Sequence, residues 1–403
     1  MIVNTNTYKS MMPLIRLQKI FCLNSEVEEA NFNSTLVFLK IFCTATVLGV
    51  LNFSSLYYKI TFVYNALDLS IKLMDSIQIV YDYCQYIVDL IFIHKYGRFI
   101  CVQYFKQYVM IDNILNVVCY SATRTKLLKV MGGLLSMWGL SSFIDILAWT
   151  LTYGWIIPSS HAYIFVIMRI LTTLDLIAHV THIGIRLKVV CDLMEDCYNS
   201  TNISANCIAV DFISNKRWLY RNNRIMTHVP KMKTNDMIDM KQVKSLTSCY
   251  LLLTEQVSYI NNYFGIRVLL GTLSLLLDMV KITNTAVRMV IGSQRTIYGS
   301  AYYPALSSIF RLVTCSTVLI TLVDQVEQVY RLRERIVAIM DHLLNNKNPS
   351  DDLRAAVLNF RQLLLDRPLI FNMAHFFNLN YSLLISIAST VVTYTIILLQ
   401  SVN

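Results

Sequence analysis

Four aspartates recur at a fixed spacing in an apolar stretch near the start of the chain. Each follows the previous one by seven residues, nearly two helical turns, at Asp68, Asp75, Asp82 and Asp89. The four carboxylates therefore line one face of a helix. Ionised aspartate at the centre of a bilayer costs about 2.5 to 3.5 kcal/mol, so this face avoids lipid. Carboxylates there can line a water-filled crevice that opens outward. Alternatively, those near the helix ends are solvated, and Lys72 neutralises Asp68.

Other charged residues also interrupt apolar stretches, and aromatic side chains are dense around them. Aromatic faces with a few convergent polar groups are typical of small-molecule pockets. The alternative is a belt of interfacial aromatics with basic side chains that extend towards the headgroups. We predict a ligand pocket formed by Tyr64, Asp68, Asp145, Trp149, Tyr153, Phe165, Arg169, Lys281, Arg288, Phe310 and Arg311.

Catalytic and metal-binding motifs are weak in this sequence. His179 and His182 have the i,i+3 spacing of a metal pair, but no third ligand is evident, and a packed helix explains them better. We find no GxGxxG, P-loop, HExxH or nucleophile elbow. The sequence therefore predicts neither an enzyme nor a bound cofactor or metal.

The composition indicates an integral membrane protein. Apolar residues make up 55% of the 403 residues and charged residues only 15%, and the mean hydropathy is +0.49. The net charge of +10 could suggest nucleic acid, but the basic residues lie in particular loops rather than along one patch. Membrane topology explains this distribution better, and we expect no nucleic-acid partner.

Seven segments are long and apolar enough to cross a bilayer of about 30 Å. The predicted fold is therefore all-α, with seven transmembrane helices. The fourth, fifth and sixth helices continue beyond the membrane, because helical periodicity persists where charge increases. The predicted spans cover residues 34–56, 63–93, 128–153, 161–187, 262–290, 303–326 and 379–401.

The basic residues also predict the orientation of the chain. Of 35 lysines and arginines, 26 lie before the first span or in the loops after the second, fourth and sixth spans, counting Lys129 and Arg186 at the span ends that border these loops. The loops on the other side hold two, Lys59 and Arg295. By the positive-inside rule, the N-terminus is cytoplasmic and the C-terminus extracellular.

These features divide the chain into four parts. A cytoplasmic N-terminal segment (1–33) precedes six spans that form a ligand-binding bundle with cytoplasmic loops (34–326). A cytoplasmic helical hairpin (327–378) follows, whose second helix begins at Ser350. We expect this hairpin to form an anchor between copies of the chain. The last helix (379–403) ends the chain.

The last helix carries polar residues on one face. Thr393 and Gln400 are seven residues apart and point in one direction. The sequence here resembles the insect gustatory receptor family, whose signature is Thr-Tyr, five mostly hydrophobic residues, then Gln-Phe. It reads Thr393, Tyr394, TIILL and Gln400, with Ser401 in place of phenylalanine. The preceding RPLIFNMAHFFNLNYSLLISIAST is also similar to the family.

This resemblance implies a tastant-gated, non-selective cation channel in the plasma membrane, related to the insect odorant receptors. Such channels are tetramers, either of one chain or with related receptors, and the last helix of each subunit lines the pore. Each subunit holds its tastant in an outward-facing pocket among its second to sixth spans. The implied partners are therefore a small tastant, cations, membrane lipid and other receptor subunits. The implied pore and gate residues are Thr393, Ile396, Ile397, Leu399, Gln400 and Ser401.

The residue that follows the Thr-Tyr pair differs from that of the family's main sugar-receptor branch, and this difference indicates the class of tastant. Thr395 stands where the main sugar-receptor branch of the family has glutamate, which favours the divergent group that includes bitter receptors. Fructose-type receptors also lack this glutamate, so a sugar ligand stays open, as does a modulatory subunit of a mixed receptor. A secondary transporter is disfavoured because we find no inverted repeat or broken midplane helix.

Overall fold

Helices account for nearly all of the residues that the structure describes, as the apolar periodicity predicts. The computed structural model describes residues 6–24, 34–64, 69–116, 120–153, 160–200, 240–291, 302–346 and 350–400. Ten α-helices lie in these ranges: α1 (Asn6–Ile20), α2 (Ser34–Tyr58), α3 (Leu69–Phe92), α4 (Arg98–Leu115), α5 (Tyr120–Tyr153), α6 (Ser160–Ser200), α7 (Met240–Ile291), α8 (Tyr302–Asn346), α9 (Asp351–Asp366) and α10 (Tyr381–Gln400). The prediction of an all-α fold is confirmed.

Six of the helices described are long and apolar enough to cross a membrane: α2, α5, α6, α7, α8 and α10. They correspond to six of the seven predicted spans. The remaining predicted span, 63–93, corresponds to α3, whose 24 residues reach about 36 Å. Helix α3 is long enough to cross, but it carries Lys72 and three of the aspartates. These charges require polar neighbours within the bundle.

The long helices extend well beyond a bilayer. Helices α6, α7 and α8 contain 41, 52 and 45 residues and are continuous. These lengths agree with the prediction that the fourth, fifth and sixth spans continue as helices beyond the membrane. Helix α8 packs along α5, α6 and α7, and α7 also packs against α3, α4 and α10. The core between them is aliphatic, with Leu171, Leu174 and Val326 fully buried. Burial of these side chains stabilises the bundle by about 1.5 to 3 kcal/mol each.

Several elements were not predicted from the sequence. Helices α1 and α4 pack together, and α1 also contacts α5 and α6. Two π-helical turns, Lys59–Val63 and Ile93–Gly97, follow α2 and α3. A two-stranded antiparallel hairpin, β1 (Asn372–Met373) and β2 (Phe377–Asn378), lies between α9 and α10.

The β-hairpin presses closely against α7. Its turn is closed by a hydrogen bond of 3.0 Å from the Phe376 amide to the Met373 carbonyl. Ala374 and His375 in the turn have positive φ angles of 51° and 63°, as a type I′ turn requires. A Cβ atom on Gly265 of α7 would lie 2.8 Å from the Ala374 nitrogen. Glycine is therefore the residue that permits this approach of two backbones.

Candidate functional site

Asp145 is the centre of a buried polar cluster between α5, α6 and α8. Its carboxylate accepts hydrogen bonds from the Tyr163 hydroxyl at 2.6 Å, the Ser307 hydroxyl at 2.9 Å and the Trp149 indole nitrogen at 3.1 Å. Arg311 of α8 completes the cluster with an ion pair of 3.1 Å. Asp145 is 2% exposed. The arrangement joins a cation, an anion, two hydroxyls and an indole ring in one place.

Asp75, Asp82 and Asp89 lie along one face of α3, and we call them the aspartate stripe. Asp75 contacts two cationic side chains. The Lys59 ammonium lies 2.8 Å from its carboxylate and the Lys281 ammonium 3.4 Å. The Tyr64 hydroxyl donates a third contact at 3.0 Å. Lys59 follows α2 and Lys281 lies on α7, so Asp75 connects three parts of the chain.

The next carboxylate of the stripe, Asp82, faces α6 and α7. Gln78 and Ser274 each donate a hydrogen bond of 2.7 Å to it, and the Arg169 guanidinium lies 3.8 Å away. Arg169 also forms an ion pair with Asp278 of α7. The Arg169 side chain, from α6, therefore lies between two carboxylates.

These groups balance one another in charge. Asp278 lies 3.4 Å from Lys281, and Arg311 is near enough to interact electrostatically with both. Four carboxylates, Asp75, Asp82, Asp145 and Asp278, thus meet four basic groups, Lys59, Arg169, Lys281 and Arg311. We call these eight residues the polar network. Neutralisation by bases from other helices, rather than by solvent, allows α3 to lie inside the bundle.

Asp89 forms a separate ion pair further along α3. Its carboxylate lies 2.9 Å from the Arg267 Nε of α7, and Thr172 of α6 contacts it at 3.5 Å. The Arg267 guanidinium also lies over the rings of Tyr263 and Phe264, 5.0 and 5.2 Å from their centroids. Arg267 was not among the residues predicted from the sequence. Like Lys281, which was, it is a basic residue within the predicted fifth span.

The two histidines belong to a packed region that includes α1. His182 lies 3.2 Å from both the Ser10 hydroxyl and an Arg186 guanidinium nitrogen. Arg186 forms a two-pronged pair with Asp112 of α4, with both distances 2.8 Å. Burial raises the pKa of Tyr108, whose ring lies 4.1 Å from the Arg186 guanidinium carbon. Within the residues described, no group of three His, Cys, Asp or Glu side chains is placed to hold a metal.

Helix α10 has two opposite faces. Ile387, Val391 and Thr395 are buried against α7 and α8. At 100° per residue, the side chains of five polar residues point within about 40° of one direction, opposite to the buried face. All five are exposed: Ser382, Ser386, Ser389, Thr393 and Gln400. We call these five residues the polar stripe of α10. It faces away from the bundle of its own chain.

The arrangement of helices has counterparts among known proteins. A family model described as 7tm chemosensory receptor matches residues 33–402. The chain belongs to the 7tm chemosensory receptor family. Proteins of this family are chemoreceptors of the insect odorant and gustatory type rather than enzymes, and this chain is accordingly a multi-pass membrane receptor. A search of curated protein sequences gives no significant match.

Two solved structures share the fold of this chemosensory receptor. The insect olfactory receptor OR5 from Machilis hrabei is 13% identical, with a TM-score of 0.61 over 98% of each chain. The same olfactory receptor in complex with eugenol is 12% identical, with a TM-score of 0.57 over 99% of this chain and 100% of that one. At such low identity, these similarities establish the fold of the chemosensory receptor.

The predicted pocket residues separate into groups in the receptor. Asp145, Trp149 and Arg311 meet in one cluster, Arg169 and Lys281 lie in the adjoining part of the polar network, and Tyr64 donates a hydrogen bond to Asp75 of that network. Of the other predicted residues, Phe165 packs edge-on against Tyr86, Phe310 is 40% exposed, Arg288 contacts α10, and Tyr153 is the last residue of α5. Asp68 and Ser401 lie outside the described residues.

Tyr163, Ser307 and Asp278 were not among the predicted pocket residues. Tyr163 is an aromatic residue and Asp278 a charged residue within predicted spans, which are the signals that selected the predicted pocket residues, but Ser307 gives no such signal. A serine in an apolar helix commonly bonds to its own backbone, as Ser307 also does through the Pro304 carbonyl at 3.0 Å. Its approach to Asp145 depends on how α8 lies against α5.

Proposed function

We propose that this chemosensory receptor is a gustatory, tastant-gated, non-selective cation channel of the plasma membrane. The polar stripe of α10 is the observation that carries the proposal. A transmembrane helix that faces lipid does not need polar side chains at Ser386, Thr393 and Gln400, whereas a helix around a water column does. Four copies of the chain, alone or mixed with related receptors, would enclose such a column.

The gate lies near the predicted extracellular end of α10. Ile396 and Ile397 flank the polar stripe and are 48% and 51% exposed. Gln400 lies one turn beyond them, and Leu399 and Ser401 occupy the same end of the chain. Rings of isoleucine can close a narrow pore by excluding water, while rings of Gln400 and Thr393 hydrate passing cations.

The polar network is the proposed site of tastant binding. A ligand beside Asp145 and Arg311 meets a hydrogen-bond acceptor, a donor and the Trp149 ring within one cluster. This environment favours a plant compound that combines an aromatic or apolar body with hydroxyl or amine groups. We therefore propose a bitter compound such as an alkaloid or a glycoside. The olfactory receptor of similar fold that forms a complex with eugenol supports a small organic ligand.

A sugar is the second candidate ligand. Carboxylate and guanidinium groups that bracket a hydroxyl, beside an indole ring, also suit carbohydrates, and Asp145, Arg311 and Trp149 provide these groups. A role as a modulatory subunit predicts the same site without current from the chain alone.

Helices α7 and α8 connect the two sites. Lys281 and Asp278 of α7, and Arg311 of α8, belong to the polar network. The same two helices form the surface on which α10 packs. A ligand that binds one arrangement of α7 and α8 more tightly shifts the position of α10, and this differential affinity supplies the gating energy.

The test is whole-cell current from cells that express this chain alone. Alkaloids, plant glycosides and simple sugars are applied while G-protein cycling is blocked from the pipette. We expect a rapid cation current that survives the block. Gln400→Ala should alter gating or permeation, whereas Val392→Ala, about 80° from the polar stripe, should not. Silence from surface-expressed chain, followed by current on co-expression with a related receptor, would identify a modulatory subunit instead.

A further inference from the structure

Arg288 connects the end of α7 to the end of α10. Its Nη2 donates a hydrogen bond of 2.8 Å to the backbone carbonyl of Leu398, and its Nε donates one of 3.0 Å to the Asn284 side chain. The Arg288 side chain is 1% exposed. Arg288 was predicted in the ligand pocket, and in the structure its guanidinium contacts α10.

The chemistry of a helix end makes this contact strong. The last four carbonyls of a helix have no partner within the helix, and Leu398 is one of them. These carbonyls carry a partial negative charge, which a buried guanidinium offsets. Leu398 lies two residues before Gln400, so Arg288 fixes the turn from which Gln400 projects.

The position of this contact on α10 indicates its direction of action. The half-buried Leu398 lies about 160° around the helix from Gln400, on the side that packs against the bundle. The contact therefore holds the outer end of α10 against α7 and away from the axis that the polar stripe faces. We infer that Arg288 is a positioning residue that favours the wide arrangement of the outer pore. This inference rests on the proposed function.

The opposite end of α10 is held by another helix. Glu327 of α8 accepts a hydrogen bond of 3.1 Å from the Tyr381 amide at the first turn, and Asp324 accepts one of 3.2 Å from the Tyr381 hydroxyl. Helix α8 thus holds the start of α10, while α7 holds its end through Arg288. Because the two ends of α10 are held by different helices, sliding of α7 relative to α8 moves one end more than the other and tilts α10.

Arg288 is also connected to the polar network through α7. It lies seven residues after Lys281, nearly two turns further along a similar face. Lys281 contacts Asp75 and Asp278 at 3.4 Å each. A ligand that displaces Lys281 therefore moves the helix that carries Arg288, and the outer end of α10 follows.

The test compares Arg288→Met with Arg288→Lys, using Val290→Ala as the matched control. Methionine keeps much of the volume but removes the donors, and Val290 is 65% exposed on the same helix. We expect Arg288→Met to raise the agonist concentration for half-maximal current about tenfold, equivalent to about 1.4 kcal/mol. Arg288→Lys should fall between Arg288→Met and the wild type, without a rise in agonist-free current. Unchanged agonist sensitivity, or an increase in it, would overturn the inference.

A second measurement does not depend on current. In purified receptor that carries Gln400→Cys, we expect Arg288→Met to change the rate of thiol labelling at residue 400 at least threefold, with labelling of the native cysteines subtracted. If the wild type conducts no current either alone or with a related receptor, the channel proposal fails while this labelling still tests the contact. If Arg288→Met does not reach the cell surface, Asn284→Ala removes the side chain that orients the guanidinium. An equal labelling rate in both variants and in the Gln400→Cys receptor with no other change would reject the positioning role.

Discussion

The carboxylate of Asp145 on α5 lies 3.1 Å from the guanidinium of Arg311 on α8, across the helix bundle and 166 residues apart in sequence. Because the pair is buried, the loss of one partner leaves an uncompensated charge. Asp145→Asn keeps the shape of the side chain but removes its charge. We expect it to lower the free energy of unfolding by about 3 to 5 kcal/mol. Thermal unfolding of the detergent-solubilised receptor measures this change.

The same pair can be tested as part of the proposed ligand site. A double-mutant cycle with Asp145→Asn and Arg311→Gln separates the pair energy from other effects. We expect the double variant to be more stable than the sum of the single changes, yet to need at least tenfold more agonist. Wild-type agonist sensitivity in a surface-expressed double variant would exclude this cluster from the binding site.

The second prediction concerns Asp89 and Arg267. Arg267 is 0% exposed, and its Nη1 and Nη2 have no hydrogen-bond partner in the described part of the chain. Asp89→Asn removes the charge that its Nε contacts at 2.9 Å. We expect the free energy of unfolding to fall by about 3 to 5 kcal/mol, measured by thermal unfolding. The control is Ile91→Ala on the same helix, since Ile91 is 54% exposed. Equal losses in both variants would contradict the prediction.

The third prediction concerns Gly265. A Cβ atom there would lie 2.8 Å from the Ala374 nitrogen and 3.3 Å from the Ala374 Cα. Because these are backbone atoms, Gly265→Ala must displace the β-hairpin that precedes α10. We expect a lower unfolding temperature and altered gating.

Gly133→Ala is the matched control for Gly265→Ala. A Cβ at Gly133, which also lies within a long helix, would meet no atom within 4 Å. Alanine there should be neutral or stabilise by up to about 1 kcal/mol, because it favours helix more than glycine does. If the Gly265→Ala receptor is as stable as the Gly133→Ala receptor, the β-hairpin moves without loss of stability and the prediction is wrong.

The fourth prediction concerns Arg186 and helix α1. Arg186 contacts Asp112 through two nitrogens at 2.8 Å and donates to the Thr7 hydroxyl at 3.1 Å. Arg186→Lys keeps the charge but cannot form this planar fork. We expect α1 to detach more readily, so that limited proteolysis near residues 6–24 becomes faster.

Arg335→Lys serves as the control for Arg186→Lys. Arg335 is partly exposed and forms an ion pair of 2.7 Å with Glu195, and exposed pairs contribute only about 0.2 to 1 kcal/mol. Its replacement should leave proteolysis of the N-terminal region unchanged. If both variants are cut at the wild-type rate, α1 is held by its apolar contacts instead.

The sequence by itself determined the elements and their chemical character. Helical periodicity is local, so the apolar stretches fixed the places of α2, α5 and α10, and the spacing of Thr393 and Gln400 fixed a shared face. The aspartate spacing likewise showed that α3 needs polar neighbours. The signature around Tyr394 and Gln400 identified the chemosensory family without any structure.

Tertiary structure alone decided which polar groups meet. Asp75 contacts Lys281, 206 residues away in sequence, and Arg288 contacts the backbone of Leu398, 110 residues away. Neither partner follows from helical periodicity, because periodicity gives the direction of a side chain on its own helix but not the helix that lies opposite. The packing of α7 between α3, α8 and α10 sets that choice, since each buried charge must find its counter-charge among the neighbours that the fold provides.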